Sequence, residues 1–221
     1  MEQIKTSKAQ QSGNSQQQKR QQRRGRWKLL MVLAVCAAPL MFSYLTYYVI
    51  KPAGRTNFGT LIDPRAHPMP PLQATTLDAK PATLAAWKGK WIMLKVGPSA
   101  CTKDCLEQMF ALQQVRSMQG KDMKRIERVW LLLDDAPLDS ALLGQLDEVN
   151  LLRAPAQLVG AWLPVEPGAR AEESIFLIDP LGNLMMRFPK VPSEASEEQK
   201  VAHYAKIKKD IAKLLKASAI G

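Results

Sequence analysis

The sequence predicts an α/β domain tethered by a single N-terminal transmembrane helix, and three observations carry that expectation. Residues 29–50 form an uncharged apolar run. Behind it, short apolar runs alternate with helix-patterned stretches, and Cys101 and Cys105 stand where the first strong strand hands over to a helix. At 221 residues the chain suits one compact domain with appendages.

The formal charge of +11 is unevenly spread. Residues 1–50 hold eight Lys and Arg against one acid, which leaves only +4 for the remainder, with its 23 basic and 19 acidic residues. That mixed remainder is an ordinary solvated surface. Without zinc-finger spacing, aromatic-basic interleaving or a recognition-helix pattern, the charge does not point to nucleic acid as a partner.

Residues 1–28 are rich in Gln, Ser, Lys and Arg and are expected to be a disordered basic cytoplasmic tail, because they bury too little to offset chain entropy. Residues 29–50 are expected to be the transmembrane helix. Twenty-two residues without a charge make a helix of about 33 Å, enough for a hydrocarbon core of about 30 Å. Trp27 on one side and Tyr44, Tyr47 and Tyr48 on the other mark the interfaces, and Pro39 is tolerable within a membrane helix. A cleaved signal peptide fits less well, since its apolar region is about 7 to 15 residues and no small-x-small site follows here. The basic residues before the span keep the N-terminus cytoplasmic. The expected location is thus the bacterial inner membrane with the main domain periplasmic, an oxidising place for cysteines. Cys36, within the span, reads as a small apolar residue.

Residues 51–72, punctuated by Pro52, Gly54, Gly59, Pro64, Pro68, Pro70 and Pro71, are expected to be a Pro-rich linker carrying His67 as an exposed loop histidine. The exported domain is expected over 73–217. A short hairpin or strand around Thr75 opens it, and the buried strand over 90–96 is ended by Gly97-Pro98. Lys95 in that strand has two readings: a side chain that snorkels to the strand edge, which is favoured, or a positive charge near the thiols. After the cysteines, Leu106, Met109, Phe110, Leu112, Val115 and Met118 make the apolar face of a helix closed by Gly120. Core packing, rather than copper ligation, is the favoured role of its methionines.

A second buried strand surrounds Val129-Trp130-Leu131-Leu132-Leu133 and ends in Asp134-Asp135, acids expected to solvate the next loop or cap a helix. Residues 140–152 have helical spacing, and 154–170 read as loop. Residues 174–178 and 183–188 form a hairpin about Asp179-Pro180-Leu181-Gly182, a type I turn with proline second and glycine fourth. Ser196 and Gln199 make a capping box. It opens an amphipathic helix whose face is Val201, Tyr204, Ile207, Ile211, Leu214 and Leu215, with His203 at the border in a surface or packing role. Strand, cysteine-bearing helix, strand, helix, hairpin, helix is the order of a thioredoxin-like domain.

At the start of a helix, free backbone N–H groups and the dipole favour a thiolate, so Cys101 is the candidate nucleophile and Cys105, one turn on, its partner. The spacing suits a disulfide, whose Cα separation is about 4.4 to 6.8 Å, and equally suits two sulfurs on one Cu(I). A static staple of so short a loop stabilises little. Zinc is disfavoured without a second pair of ligands.

The C-x-x-x-C of Cys101 and Cys105 after an apolar strand and Gly97, followed by Phe176-Leu177-Ile178-Asp179-Pro180 with Gly182, resembles the Sco/SenC family of cytochrome c oxidase assembly factors. The resemblance covers residues 91–188 and the N-terminal anchor. It implies a protein that delivers copper to the dinuclear centre of oxidase subunit II or keeps that subunit's cysteines reduced. The implied partner is therefore a cytochrome c oxidase subunit or another copper-assembly protein, and the implied metal is copper on Cys101, Cys105 and a histidine. Gly97, Ser99, Asp179-Pro180 and Gly182 take scaffold positions in this likeness. Two features depart from the family: Thr102 and Leu106 replace the prolines after the cysteines, and residues 169–174 hold no histidine. The expected activity is thiol-disulfide exchange in oxidase assembly. The alternatives are a Cu(I) metallochaperone lacking an identified third ligand and a non-catalytic assembly scaffold.

Overall fold

The structure is a computed structural model that describes residues 26–50, 57–144, 146, 148–192 and 194–218. It divides into two units, Met1–Arg55 and Thr56–Gly221. In the first, helix α1 spans Arg26–Val49 with a mean hydropathy of 2.1 over its most apolar window, long and apolar enough to cross a membrane. Its last part relaxes into a π turn, Thr46–Ile50, where the Thr46 hydroxyl donates to the Phe42 carbonyl and the Tyr44 and Tyr48 rings stack 4.4 Å apart. Of the expected tail, residues 1–25 lie outside the described residues, and 26–28 begin the helix.

The second unit is one mixed sheet of eight strands, β1 Thr60–Leu61, β2 Ala74–Thr75, β3 Pro81–Ala82, β4 Trp91–Gly97, β5 Ile126–Leu132, β6 Val149–Arg153, β7 Ser174–Ile178 and β8 Leu184–Pro189, in the order β1-β8-β7-β4-β5-β6-β2-β3. Strand β4, Trp91–Gly97, is buried at every residue because both faces of the sheet are covered. It pairs in parallel with β5, Ile126–Leu132, and antiparallel with β7, Ser174–Ile178. Between β4 and β5 runs helix α2, Lys103–Ser117, the crossover that a parallel pair requires. Strand β8, Leu184–Pro189, returns from β7 through the expected turn. There Gly182 takes a φ of +94°, its N–H donates to the Asp179 carbonyl, and the Asn183 N–H donates to the Asp179 carboxylate at 2.7 Å. Helix α5, Glu197–Ala217, opens with the Ser196–Gln199 capping box that the sequence predicts.

Each face of the sheet has its own core. One joins Trp91, Met93, Trp130 and Phe188 to α2 and α5 through Leu112, Val115, Ile207 and Ile211; the other joins Ile92, Leu94, Leu131 and Phe176 to Val159 and Trp162. Those last two residues belong to helix α4, Ala156–Trp162.

Four expectations need correction. The helix expected over 140–152 is only a turn, α3, Ser140–Leu143; its second half is strand β6, Val149–Arg153, which pairs in parallel with β5. A ladder on a buried neighbour outweighs helical spacing once Gly144 and Glu148, at φ +55°, have broken the helix. The expected loop over 154–170 contains α4. The stretch expected to be linker is outside the described residues over 51–56, but beyond it the chain carries strand β1, Thr60–Leu61, on β8 and a bridge from Pro68 to Asn183. The hairpin expected near Thr75 is present as β2, Ala74–Thr75, against β3, Pro81–Ala82. Finally, α2 buries Gln108, Met109, Ala111, Leu112 and Val115, whereas Leu106, Phe110 and Met118, expected on its buried face, are exposed.

Candidate functional site

The loop that leaves β4 at Gly97 reaches Cys101 before any helix has begun. Thr102 is the N-cap of α2, so Cys101 precedes the helix and Cys105 is its third residue. Their Cα atoms are 5.2 Å apart and the two sulfurs are joined in a disulfide. Both residues are half-buried, and each opens on a different cavity. Cys101 lines one of about 440 Å³ with Ser99, Thr102, Pro137, Asp139 and Leu142. Cys105 lines another of about 460 Å³ whose other walls include Lys95, Gln108, Arg170, Glu172, Glu173 and Lys190.

The loop is held from beneath by Asp134, two residues past the end of β5. Its carboxylate accepts from the Ser99 N–H at 3.1 Å and from the Ser99 hydroxyl at 2.5 Å. The hydroxyl bond is the main reason its pKa lies below the ordinary carboxylate value. Asp134 therefore braces the cysteine loop, and its carboxylate also accepts from the Ala136 N–H of the following loop, as expected, while it caps no helix.

Across the second cavity the surroundings are ionic. Lys190 bridges Asp104 in the first turn of α2 and Glu173 before β7, at 3.2 Å to each. These bonds raise the Lys190 pKa and lower that of Glu173.

Lys95 lies deeper. Of its two readings the favoured one is corrected: β4 is a central strand with no free edge, and Lys95 is only 2% exposed. Its ammonium donates to the carbonyls of Val96 and Glu172 at 2.6 Å each. Burial lowers its pKa to about 8, against a smaller raising effect of Glu172. At Gly97 a Cβ would make only ordinary contact, 3.5 Å from Lys95 Nζ and 3.6 Å from Glu172 Cγ, so the glycine answers to its φ of +156° rather than to space.

The two histidines are elsewhere. His67 is half-buried rather than fully exposed, with its ring Nδ1 3.2 Å from the Trp162 carbonyl. His203 has the packing role expected: its Nε2 is 3.0 Å from the Pro189 carbonyl and its ring meets Phe58 edge-on. Neither lines a cavity beside the cysteines. Among the described residues no group of three or more His, Cys, Asp and Glu is placed to hold a metal. The donor set consequently does not fit a copper centre with a third protein ligand.

Sequence reasoning missed Gln108 and the charged group on 170–173 as parts of this site. Gln108 sits one helical turn from Cys105 and is the one polar residue buried on α2, a signal legible only once the helix orientation is known. A disulfide-bonded cysteine pair at a helix start, on a sheet of this order, is the arrangement of a thioredoxin-like domain.

A family model described as transmembrane-like, thioredoxin-like, C-terminal domain matches residues 91–218, and one described as transmembrane-like, N-terminal domain matches 19–49. The chain belongs to this transmembrane-like, thioredoxin-like family. Among solved structures, yeast Sco1 is similar at 12% identity with a TM-score of 0.52, over 75% of this chain and 99% of that one. Copper-bound yeast Sco1 is similar at 12% identity and a TM-score of 0.50, over 75% and 97%. A SCO1/SenC family lipoprotein from Bacillus anthracis str. Ames is 18% identical, with a TM-score of 0.49 over 70% and 99%. The Sco/SenC resemblance is thus borne out in the fold. Nothing among curated proteins matches the chain.

Proposed function

We propose that the protein is a membrane-anchored thiol-disulfide exchange factor that acts on the cysteines of a copper-oxidase subunit during assembly. The observation that carries this reading is the Cys101–Cys105 pair, bonded to each other at the head of α2, with Cys101 lining one cavity and Cys105 another. α1 is the anchor, the basic tail before it favours a cytoplasmic N-terminus, and the domain then works in the periplasm, where a disulfide persists. Cytochrome c oxidase as the destination is supported by the sequence resemblance.

In the reducing direction, the Cys101 thiolate attacks a target disulfide, and one target sulfur leaves as a thiolate. Cys105 then attacks Cys101 Sγ. The Cys101–Cys105 bond forms, the second target thiolate leaves, and two electrons have passed from the pair to the target. A dithiol reductant restores the pair. Copper, the metal named for yeast Sco1, would here find only two sulfurs, so no step is routed through it.

The test uses the full chain in detergent. The redox potential of the pair is measured in thiol buffers, and Cu(I) is titrated against wild type, Cys101→Ser and Cys105→Ser. A reversibly reducible pair with no stoichiometric copper is the expected result. Copper bound one to one and lost in both variants would replace this reading by a copper carrier. Cysteines that no thiol buffer reduces would leave a scaffold.

A further inference from the structure

The cavity on the Cys105 side contains two groups that thiol exchange as described leaves unused. The Lys95 ammonium spends two of its three protons on the Val96 and Glu172 carbonyls, and no described residue takes up the third. Gln108 is 3% exposed, and its amide oxygen has no hydrogen-bond partner. A buried acceptor without a partner is costly unless water reaches it. Both side chains wall the same space as Cys105, and Gln108 shares its helix face at i+3. A spare donor, an orphaned acceptor and a sulfur around one polar cavity are the parts of a water-borne proton path.

We propose that Lys95 is the proton-relay residue of the Cys101–Cys105 pair, exchanging a proton with Cys105 through water held by Gln108. This rests on the thiol-exchange reading above and assigns the proton that reading leaves unassigned. When Cys105 attacks the mixed disulfide, its thiol gives its proton through the water to the neutral Lys95 amine, and the sulfur electron pair forms the bond to Cys101 Sγ. When a dithiol reductant opens the disulfide, the Lys95 ammonium returns that proton to the departing Cys105 sulfur. Cys101 faces the other cavity and attacks as a thiolate without this path.

The electrostatics suit the task. Arg170 opposes the lysine charge and Glu172 favours it, while burial dominates both and brings the group near the ordinary thiol range. Glu173, Lys190 and Asp104 line the same cavity but hold one another in ion pairs. The strand neighbours of Lys95, Trp130 and Ile175, bring no charge.

The test is stopped-flow reaction of the reduced full chain in detergent, carrying Cys36→Ser so that only the pair reacts, with 5,5′-dithiobis(2-nitrobenzoate). The first thionitrobenzoate released reports attack by Cys101, and the second reports resolution by Cys105. Lys95→Met is expected to slow the second phase about tenfold or more at pH 7, to leave the first as an internal control, and to meet the wild type again at alkaline pH. Lys95→Arg keeps a cation that cannot give up its proton, so it is expected to slow the second phase too. Second-phase pH profiles of both variants lying on that of the wild type would overturn the proposal. If neither Lys95 variant folds, Gln108→Met decides by the same phase, and an unchanged second phase then overturns the relay. Failure of the underlying reading looks different: the wild-type disulfide resists dithiothreitol, or Cys105→Ser still gives a second phase.

Discussion

Asp134 ties the loop that presents Cys101 to the end of β5 by accepting from both the N–H and the hydroxyl of Ser99. Removing the hydroxyl with Ser99→Ala is expected to cost about 1 kcal/mol at neutral pH, less than a fully buried bond to a charged group because water partly screens this one. The folded pKa of Asp134 lies below 3.8, so its contribution is full above that value and is lost as pH falls through the lowered one. The destabilisation by Ser99→Ala should accordingly be plain in urea unfolding at pH 7 and shrink in strong acid. A constant difference across that range would mean that the Ser99 hydroxyl does not act through the Asp134 carboxylate.

Among elements, α5 does more than cover one face of the sheet. Asp210 on its buried side is 2% exposed and accepts from the N–H groups of Phe58 at 2.6 Å and Gly59 at 3.0 Å, fastening the chain just ahead of β1. Gly59 fits because it lies flat on the sheet: a Cβ there would come within 2.6 Å of the Phe188 ring. Asp210→Ala orphans two amides and is expected to lower stability by about 2 kcal/mol. Hydrogen exchange should quicken first at Phe58, Gly59 and β1, and unchanged protection there would refute the role. The apolar spacing of α5 pointed to Tyr204, Ile207 and Ile211 correctly. An acid on the same face was unreadable as an anchor, because the amides it serves are some 150 positions away.

For the molecule as a whole, the buried Lys95 sets a pH dependence. Its folded pKa of about 8 lies below the ordinary lysine value of 10.5. Below pH 8 the folded and unfolded chains both carry the charge, and the cost of burying it is fully present. Between the two values the unfolded chain holds a proton that the folded chain has released, so stability rises with pH. The stability of Lys95→Met relative to wild type should therefore fall by about 2 to 3 kcal/mol across that window. Paired thermal or urea unfolding between neutral pH and pH 10.5 measures it. A flat difference would place the lysine in contact with solvent.

The apolar helix, the strand-helix-strand at the cysteines, the hairpin about Asp179-Pro180 and the capped terminal helix are all legible in the amino-acid order alone. Each of these is a local matter of periodicity, turn chemistry or a cap, settled within a few residues. That residues 149–153 pair as a strand, that Lys95 is interior, and that Gln108, Glu172 and Lys190 gather beside Cys105 emerges from the folded chain. Those outcomes depend on which strand lies next to which and on how α2 is rotated against the sheet. Non-local packing sets both, and no spacing along the chain records it. The cysteine pair was visible as a candidate from its spacing; the two cavities beside it, one lined by Cys101 and the other by Cys105, were not.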